Sequence, residues 1–252
     1  MMTVQECLEE ALAHIGIRAH LDVAARTDAG VHALGQVVTF TARAAWHPAE
    51  LRAAVNAWTP PALLCLEAAC VPSRLHARAS ALSRTYVYLV GTPAPPCLAG
   101  YAWSLPDRRA FPEMSAPRID TVRARDALLR MVGEHDFGGF ARPGAQTARR
   151  EANPRATVRR VLRAEVVSAA EEPVTAFVLE GCGFLRAMVR NIVGAAVSAA
   201  VGAVDPARMS AILDAPRDRY RGVRAPGWGL TLVRVVYGEP LFSSSSAPQE
   251  RR

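Results

Sequence analysis

Lysine is absent: all 30 basic residues of the 252-residue chain are arginine. The five cysteines, Cys7, Cys65, Cys70, Cys97 and Cys182, are odd in number and include no Cys-x-x-Cys pair, which excludes a disulfide framework and a zinc ribbon and predicts free, buried thiols. The six histidines show neither His-x-x-x-His nor His-Glu-x-x-His spacing, so no metal site is expected. Gly-x-Ser-x-Gly, P-loop and complete Gly-x-Gly-x-x-Gly motifs are also missing, which argues against serine-nucleophile and nucleotide-cofactor chemistry. The apolar run Ile192 to Val204 lies between Arg190 and Asp205 and is too short to cross a bilayer, so it predicts a buried helix and no membrane span. Met1 to Glu10 carries Glu6, Glu9 and Glu10 without a basic residue, unlike a secretory or mitochondrial leader, and predicts a cytoplasmic protein.

What is present is positive charge and apolar content. The net charge is +7 and the isoelectric point about 9.7. Guanidinium forks bind phosphate bidentately and stack on bases, so an all-arginine basic surface suits a nucleic-acid partner. A GC-rich coding sequence, consistent with the abundance of alanine, would produce the same bias without any partner. Hydrophobic residues make up 50% and charged ones 21%, enough for one large or two small globular domains.

Thr3 to Ile15 places Val4, Leu8, Ala11, Leu12 and Ile15 at helical spacing, with Thr3 and Glu6 as a capping box. A second helix is expected from Pro48 to Ala57, and strands over Leu21 to Ala25, Gln36 to Thr41, Leu63 to Val71 and Ser83 to Val90. The order helix, strand, strand, helix, strand, strand predicts an α+β fold with a sheet open on one face, a surface that can carry RNA. Prolines and glycines from Gly91 to Gly100 predict the link between halves, giving an N-terminal half over 1–100 and a C-terminal half over 101–242. In the second half Thr121 to Val132 reads as a helix, Arg159 to Ser168 and Val174 to Gly181 as strands, Gly183 to Val204 as a long helix and Gly229 to Tyr237 as a closing strand. The similar order suggests a pseudo-duplicated architecture. Residues 243–252 form a polar tail predicted to be disordered.

Three segments carry candidate chemistry. Arg26-Thr27-Asp28-Ala29-Gly30-Val31-His32 joins two predicted strands and sets one carboxylate between cationic side chains; Asp28 and Gly30 could equally be ordinary turn formers. His76 to Tyr88 places Arg78 and Arg84 ahead of Tyr86 and Tyr88, which share a strand face. Such tyrosines stack on a base or fill the core. In Phe184 to Gly194 the apolar stripe is Leu185, Met188, Val189, Ile192 and Val193, and Arg190 sits at its edge. A cation there requires a carboxylate unless it is solvated.

In order and spacing these segments resemble the bacterial tRNA pseudouridine synthase A family, TruA. The resemblance runs from Val4 to Tyr237 and includes Gly133-Glu134-His135-Asp136-Phe137, Thr157-Val158-Arg159, Met188-Val189-Arg190-Asn191-Ile192-Val193-Gly194 and Gly229-Leu230-Thr231-Leu232. It implies the pseudouridine synthase fold, two ferredoxin/RRM-like halves sharing a mostly antiparallel sheet. It also implies isomerisation of uridine to pseudouridine in the tRNA anticodon stem-loop, without a cofactor or metal, by a homodimer in which one tRNA touches both subunits.

By matching motif positions, the resemblance makes Asp28 the catalytic aspartate, acting as nucleophile at the ribose C1′ or the base C6, or promoting a glycal route. Arg190 is similar to the arginine that pairs with it. Tyr86 is similar to the tyrosine that stacks on the target base and can take part in proton transfer. Arg26 resembles the residue that fills the gap left by the extruded base. Arg78, Arg84 and His32 are assigned to the phosphate path and Leu230 to the uracil pocket.

Two departures stand out. Relatives begin with a strand bearing a Tyr-x-Gly-Thr-x-Phe-x-Gly-Trp-Gln type motif, whereas this chain starts at the helix that follows it, so the first sheet is expected to lack its first strand. That motivates the alternative of a truncated, non-catalytic tRNA-binding relative. Arg186-Ala187 also stands where relatives usually carry an aromatic or histidine pair.

Overall fold

A computed structural model describes residues 2–113, 118–142, 153–169, 172–216 and 218–242. The elements are α1 (Val4–His14), β1 (Asp22–Val23), β2 (His32–Ala33), β3 (Val38–Thr39), α2 (Pro48–Trp58), β4 (Ala81–Gly91), β5 (Trp103–Ser104), α3 (Thr121–Leu129), β6 (Gly133–Asp136), β7 (Val158–Ser168), β8 (Val174–Gly181), α4 (Met188–Ala200), α5 (Arg208–Asp214) and β9 (Leu230–Tyr237). The fold is mixed α+β. The tail from Ser243 lies outside the described residues.

The chain forms two compact units. The smaller comprises residues 1–26, 37–82 and 236–252, the larger 27–36 and 83–235. In the smaller unit α1 is closed by the expected capping box: Thr3 Oγ1 accepts from Glu6 N, and Glu6 Oε2 accepts from Thr3 N. Buried Leu12, Ile17, Leu21 and Val55 form its core, with Phe40, Trp46 and Leu51 packed around them. Its sheet has two strands of two residues, β1 and β3, paired antiparallel. The expected strand over Leu63 to Val71 does not form. The Asn56 side chain bonds both backbone groups of Cys65, donating to its carbonyl at 2.9 Å and accepting from its N–H at 2.7 Å, so these groups are not offered to a neighbouring strand.

The larger unit is built on a seven-stranded mixed sheet in the order β2-β9-β4-β8-β7-β6, with β5 beside β4. Pairings β4/β8, β7/β8 and β6/β7 are antiparallel, and β2/β9 and β4/β5 parallel. Because β5 pairs with the end of β4, at Val90 and Gly91, the stretch from Gly91 to Gly100 is a loop inside this unit rather than a link between units. α3 is capped by Asp120, whose carboxylate accepts from Val122 N and Arg123 N, and packs against α4 and β7.

In α4 every residue except Arg190 is buried, and a helix apolar on all sides is a core helix. It starts at Met188, later than the Gly183 expected from periodicity, because Ala187 adopts the left-handed conformation (φ 60°, ψ 3°) and breaks the helical path. Gly194 lets Val223 approach: a Cβ there would lie 1.9 Å from the Val223 carbonyl oxygen. The cysteines are free, but none is buried as expected: Cys7 and Cys65 are half-buried, and Cys70, Cys97 and Cys182 are exposed, because each of these three stands in a loop or short turn rather than on a core face. Among the described residues no helix is long and apolar enough to cross a membrane.

Candidate active site

The site lies within the larger unit and is assembled from four segments. The loop carrying Asp28 is closed by the Val31 N–H donating to the Asp28 carbonyl at 3.1 Å, with Gly30 at φ +79°, a conformation that side chains disfavour. The loop is docked by β2, whose His32 and Ala33 pair with Thr231 and Leu232 of β9, and by Leu34 N donating to the Leu232 carbonyl at 2.8 Å. Thus Leu230 directly precedes the paired residues of β9, and the turn carrying Asp28 leads into those of the adjacent parallel β2.

From α4, Arg190 holds the carboxylate. Its Nη1 donates to Asp28 Oδ2 at 3.0 Å, while its Nε donates to the Ala225 carbonyl at 2.8 Å. The Ala225 N–H in turn donates to the Arg190 carbonyl at 3.2 Å. Fixed at both ends, the guanidinium cannot swing away without leaving a carbonyl and a carboxylate unpaired. Its side chain is 18% exposed and that of Asp28 27%, so the pair is shielded from water while one edge stays accessible.

A second cation reaches the other oxygen: Arg186 Nε lies 3.8 Å from Asp28 Oδ1, and the Arg186 side chain is 60% exposed. The next residue, Ala187, is left-handed, a conformation costing about 1–2 kcal/mol for a residue with a Cβ. Nothing in the residue spacing pointed to Arg186; the cue was its departure from the family pattern.

Period two along β4 puts Arg84, Tyr86, Tyr88 and Val90 on one buried face. Tyr86 packs edge-on against Phe184 with ring centroids 5.4 Å apart. Burial pushes its hydroxyl from 10.0 up to about 12, the Arg84 charge opposing and the Asp28 charge adding to the rise, so Tyr86 is a neutral phenol at physiological pH. Tyr88 is fully buried, donates to the Pro226 carbonyl at 2.9 Å, and has its ionisation suppressed mainly by burial.

The other expected residues are placed as follows. Arg84 is buried, and its Nη1 donates to the Cys182 carbonyl at 2.7 Å, so the geometry uses it to join β4 to the end of β8 rather than to present a cation to phosphate. His32 Nε2 lies 2.9 Å from the Gly100 carbonyl; a carbonyl only accepts, so that nitrogen carries the proton, and the ring stacks on Tyr101. Leu230 is buried at the start of β9. Arg26 and Arg78 belong to the smaller unit and are exposed there.

The larger unit also has a cavity of about 340 Å³ lined by Glu134, Val158, Arg159, Arg160, Cys182 and Gly183. Asp28 is not among its walls. Among the described residues no group of three or more His, Cys, Asp or Glu side chains is arranged to hold a metal.

A carboxylate fixed at one oxygen by one guanidinium, approached at the other by a second, and lying near a buried phenol is an arrangement able to act as a nucleophile or base. Residues 127–238 match the family model described as tRNA pseudouridine synthase. The chain is 34% identical over 239 residues to the tRNA pseudouridine synthase A of Syntrophotalea carbinolica, covering 94% of this chain and 87% of that one. It is 33% identical over 247 residues to the protein of the same name from Oleidesulfovibrio alaskensis, covering 93% and 84%. To that from Methylacidiphilum infernorum it is 34% identical over 239 residues, covering 93% and 86%. The chain belongs to the tRNA pseudouridine synthase A family, a family of isomerases.

Proposed function

We propose that the protein isomerises uridine to pseudouridine in the anticodon stem-loop of tRNA, with Asp28 as the catalytic carboxylate. The observation that carries this reading is the Asp28–Arg190 pair at 3.0 Å, which keeps an ionised carboxylate in one orientation within a chain of this family. Asp28 attacks the ribose C1′ or the base C6, or assists loss of the C2′ proton; each route needs the charged carboxylate. Arg190 fixes the direction of the carboxylate through its hydrogen bond to Oδ2. As a phenol, Tyr86 offers a ring face to the uracil and a hydroxyl that donates a hydrogen bond. Substrate and product are isomers, so the reaction consumes no oxidant, reductant or second substrate, and the proposed route uses no cofactor or metal.

The target base must leave its stack, and Arg26 is proposed to occupy the gap. Arg78, His32 and the remaining basic surface follow the RNA backbone, Leu230 lines the uracil site, and the +7 charge supplies sequence-independent attraction. We further propose a cytoplasmic homodimer, in which one tRNA touches both subunits, and an architecture of two ferredoxin-like halves. The helix–strand–strand order recurs on either side of residue 100, and β4 and β8, one from each half, are neighbours in the sheet.

Incubation with unmodified tRNA transcript, followed by mapping of pseudouridine, should yield the product in the anticodon arm. No product at enzyme excess would sink the catalytic reading, and tRNA binding without product would favour a non-catalytic binding protein.

A further inference from the structure

Asp28 meets two arginines of opposite character. Arg190 is anchored at both ends, to Ala225 and to Oδ2. Arg186 has a fixed backbone, its carbonyl accepting from Arg142 N at 2.8 Å, but an exposed side chain that approaches Oδ1 only to 3.8 Å, beyond hydrogen-bonding distance. An exposed pair at that separation is weak. A phosphate offers the same guanidinium two parallel hydrogen bonds and more charge, and competes for it effectively. The three side chains together carry one net positive charge, which suits an anion. A carboxylate with both oxygens facing cations is also a poorer nucleophile than one with a free oxygen.

We propose that Arg186 caps Asp28 Oδ1 in the free protein and transfers to a backbone phosphate of the bound RNA, leaving Oδ1 free to react while Arg190 keeps Oδ2 in place. The segment is suited to this handover. Arg186 lies two residues after Phe184, which packs on Tyr86, so the phosphate it draws belongs to the nucleotide at Tyr86 or to its neighbour. Left-handed Ala187 separates the exposed Arg186 from the first residue of the buried helix, so the side chain can move without disturbing α4. The inference rests on the proposed action on tRNA.

The test combines kinetics with a double-mutant cycle on the full chain. Arg186→Gln should raise KM for tRNA transcript about fivefold to tenfold with kcat within about twofold, the signature of lost substrate binding. A kcat that falls tenfold or more at unchanged KM would overturn the handover. In direct binding at fixed salt, Asp28→Asn releases Arg186 from its carboxylate and should tighten tRNA binding up to about fivefold. Removal of a negative charge alone also tightens binding, so the gain is measured again in Arg186→Gln protein, where it should be at least about twofold smaller. Equal gains in both backgrounds refute the handover while leaving the enzyme assignment intact. Wild-type protein that neither binds nor modifies tRNA refutes the functional reading itself, and this inference with it.

Discussion

The two compact units are built to different standards. The larger has strands of up to eleven residues and a thirteen-residue helix buried on nearly every side, and it holds Asp28, Arg190 and Tyr86. The smaller has two-residue strands and a core centred on Leu12, Ile17, Leu21 and Val55, and it carries Arg26 and Arg78 on exposed positions. The difference fits the roles proposed above: a reacting carboxylate must be held to a fraction of an ångström, which a well-packed unit achieves, whereas exposed guanidinium groups that meet RNA need reach more than rigidity.

The largest expected effect is at Asp28. Asp28→Asn should lower turnover by at least about a thousandfold, because it removes the proposed reacting group, with tRNA binding unweakened and up to about fivefold tighter, because it removes no phosphate contact and releases Arg186. Turnover retained in pseudouridine mapping would break the assignment of chemistry to the larger unit. Arg190→Ala comes next, since it strands the Asp28 carboxylate and the Ala225 carbonyl together. It should cost about 2 kcal/mol of stability, less than for a fully buried pair because Asp28 keeps 27% exposure, and reduce kcat about a hundredfold. Denaturant titration beside kinetics would reveal both effects, and unchanged values would refute the clamp.

Leu12→Ala probes the other side of the comparison. Leu12 is 1% exposed, and its truncation should cost about 2–4 kcal/mol. Hydrogen exchange should rise in α1 while the chemical rate of bound tRNA changes less than about twofold; a collapse of that rate would show that the smaller unit shares in the chemistry.

The smallest effect concerns alkaline pH. Burial raises Tyr86 and Tyr220 each from 10.0 to about 12, so the folded protein holds these protons more tightly than the unfolded chain. This stabilisation is complete below about pH 10 and is lost as the pH rises toward about 12. Tyr86→Phe should therefore flatten part of the fall in melting temperature across that window, and an identical slope would show the hydroxyl to be more accessible than its burial indicates.

Much of the fold was legible because its signals are local. The Thr3 and Glu6 capping box placed α1, Pro48 marked the start of α2, and alternation over Ser83 to Val90 and Val174 to Gly181 located β4 and β8 nearly to the residue. What was illegible depends on distant partners. β2 is two residues long and is a strand only because β9 lies beside it. Leu63 to Val71 has strand composition, yet Asn56 takes the backbone groups of Cys65. Arg84 looked like a phosphate ligand until the Cys182 carbonyl was found at its guanidinium.

The candidate site divides in the same way. Asp28, Tyr86 and Arg190 could be named through the family resemblance of their segments, whereas the place of Arg190 at the edge of an apolar stripe left a carboxylate partner and solvation both open. Which oxygen it holds, the Ala225 carbonyl that anchors its other end, and the approach of Arg186 to the opposite oxygen were decided by the tertiary structure alone. A sequence encodes which groups are charged, apolar or able to turn. The distance between two charges is set by how separate segments pack, and the direction and strength of their interaction depend on that distance.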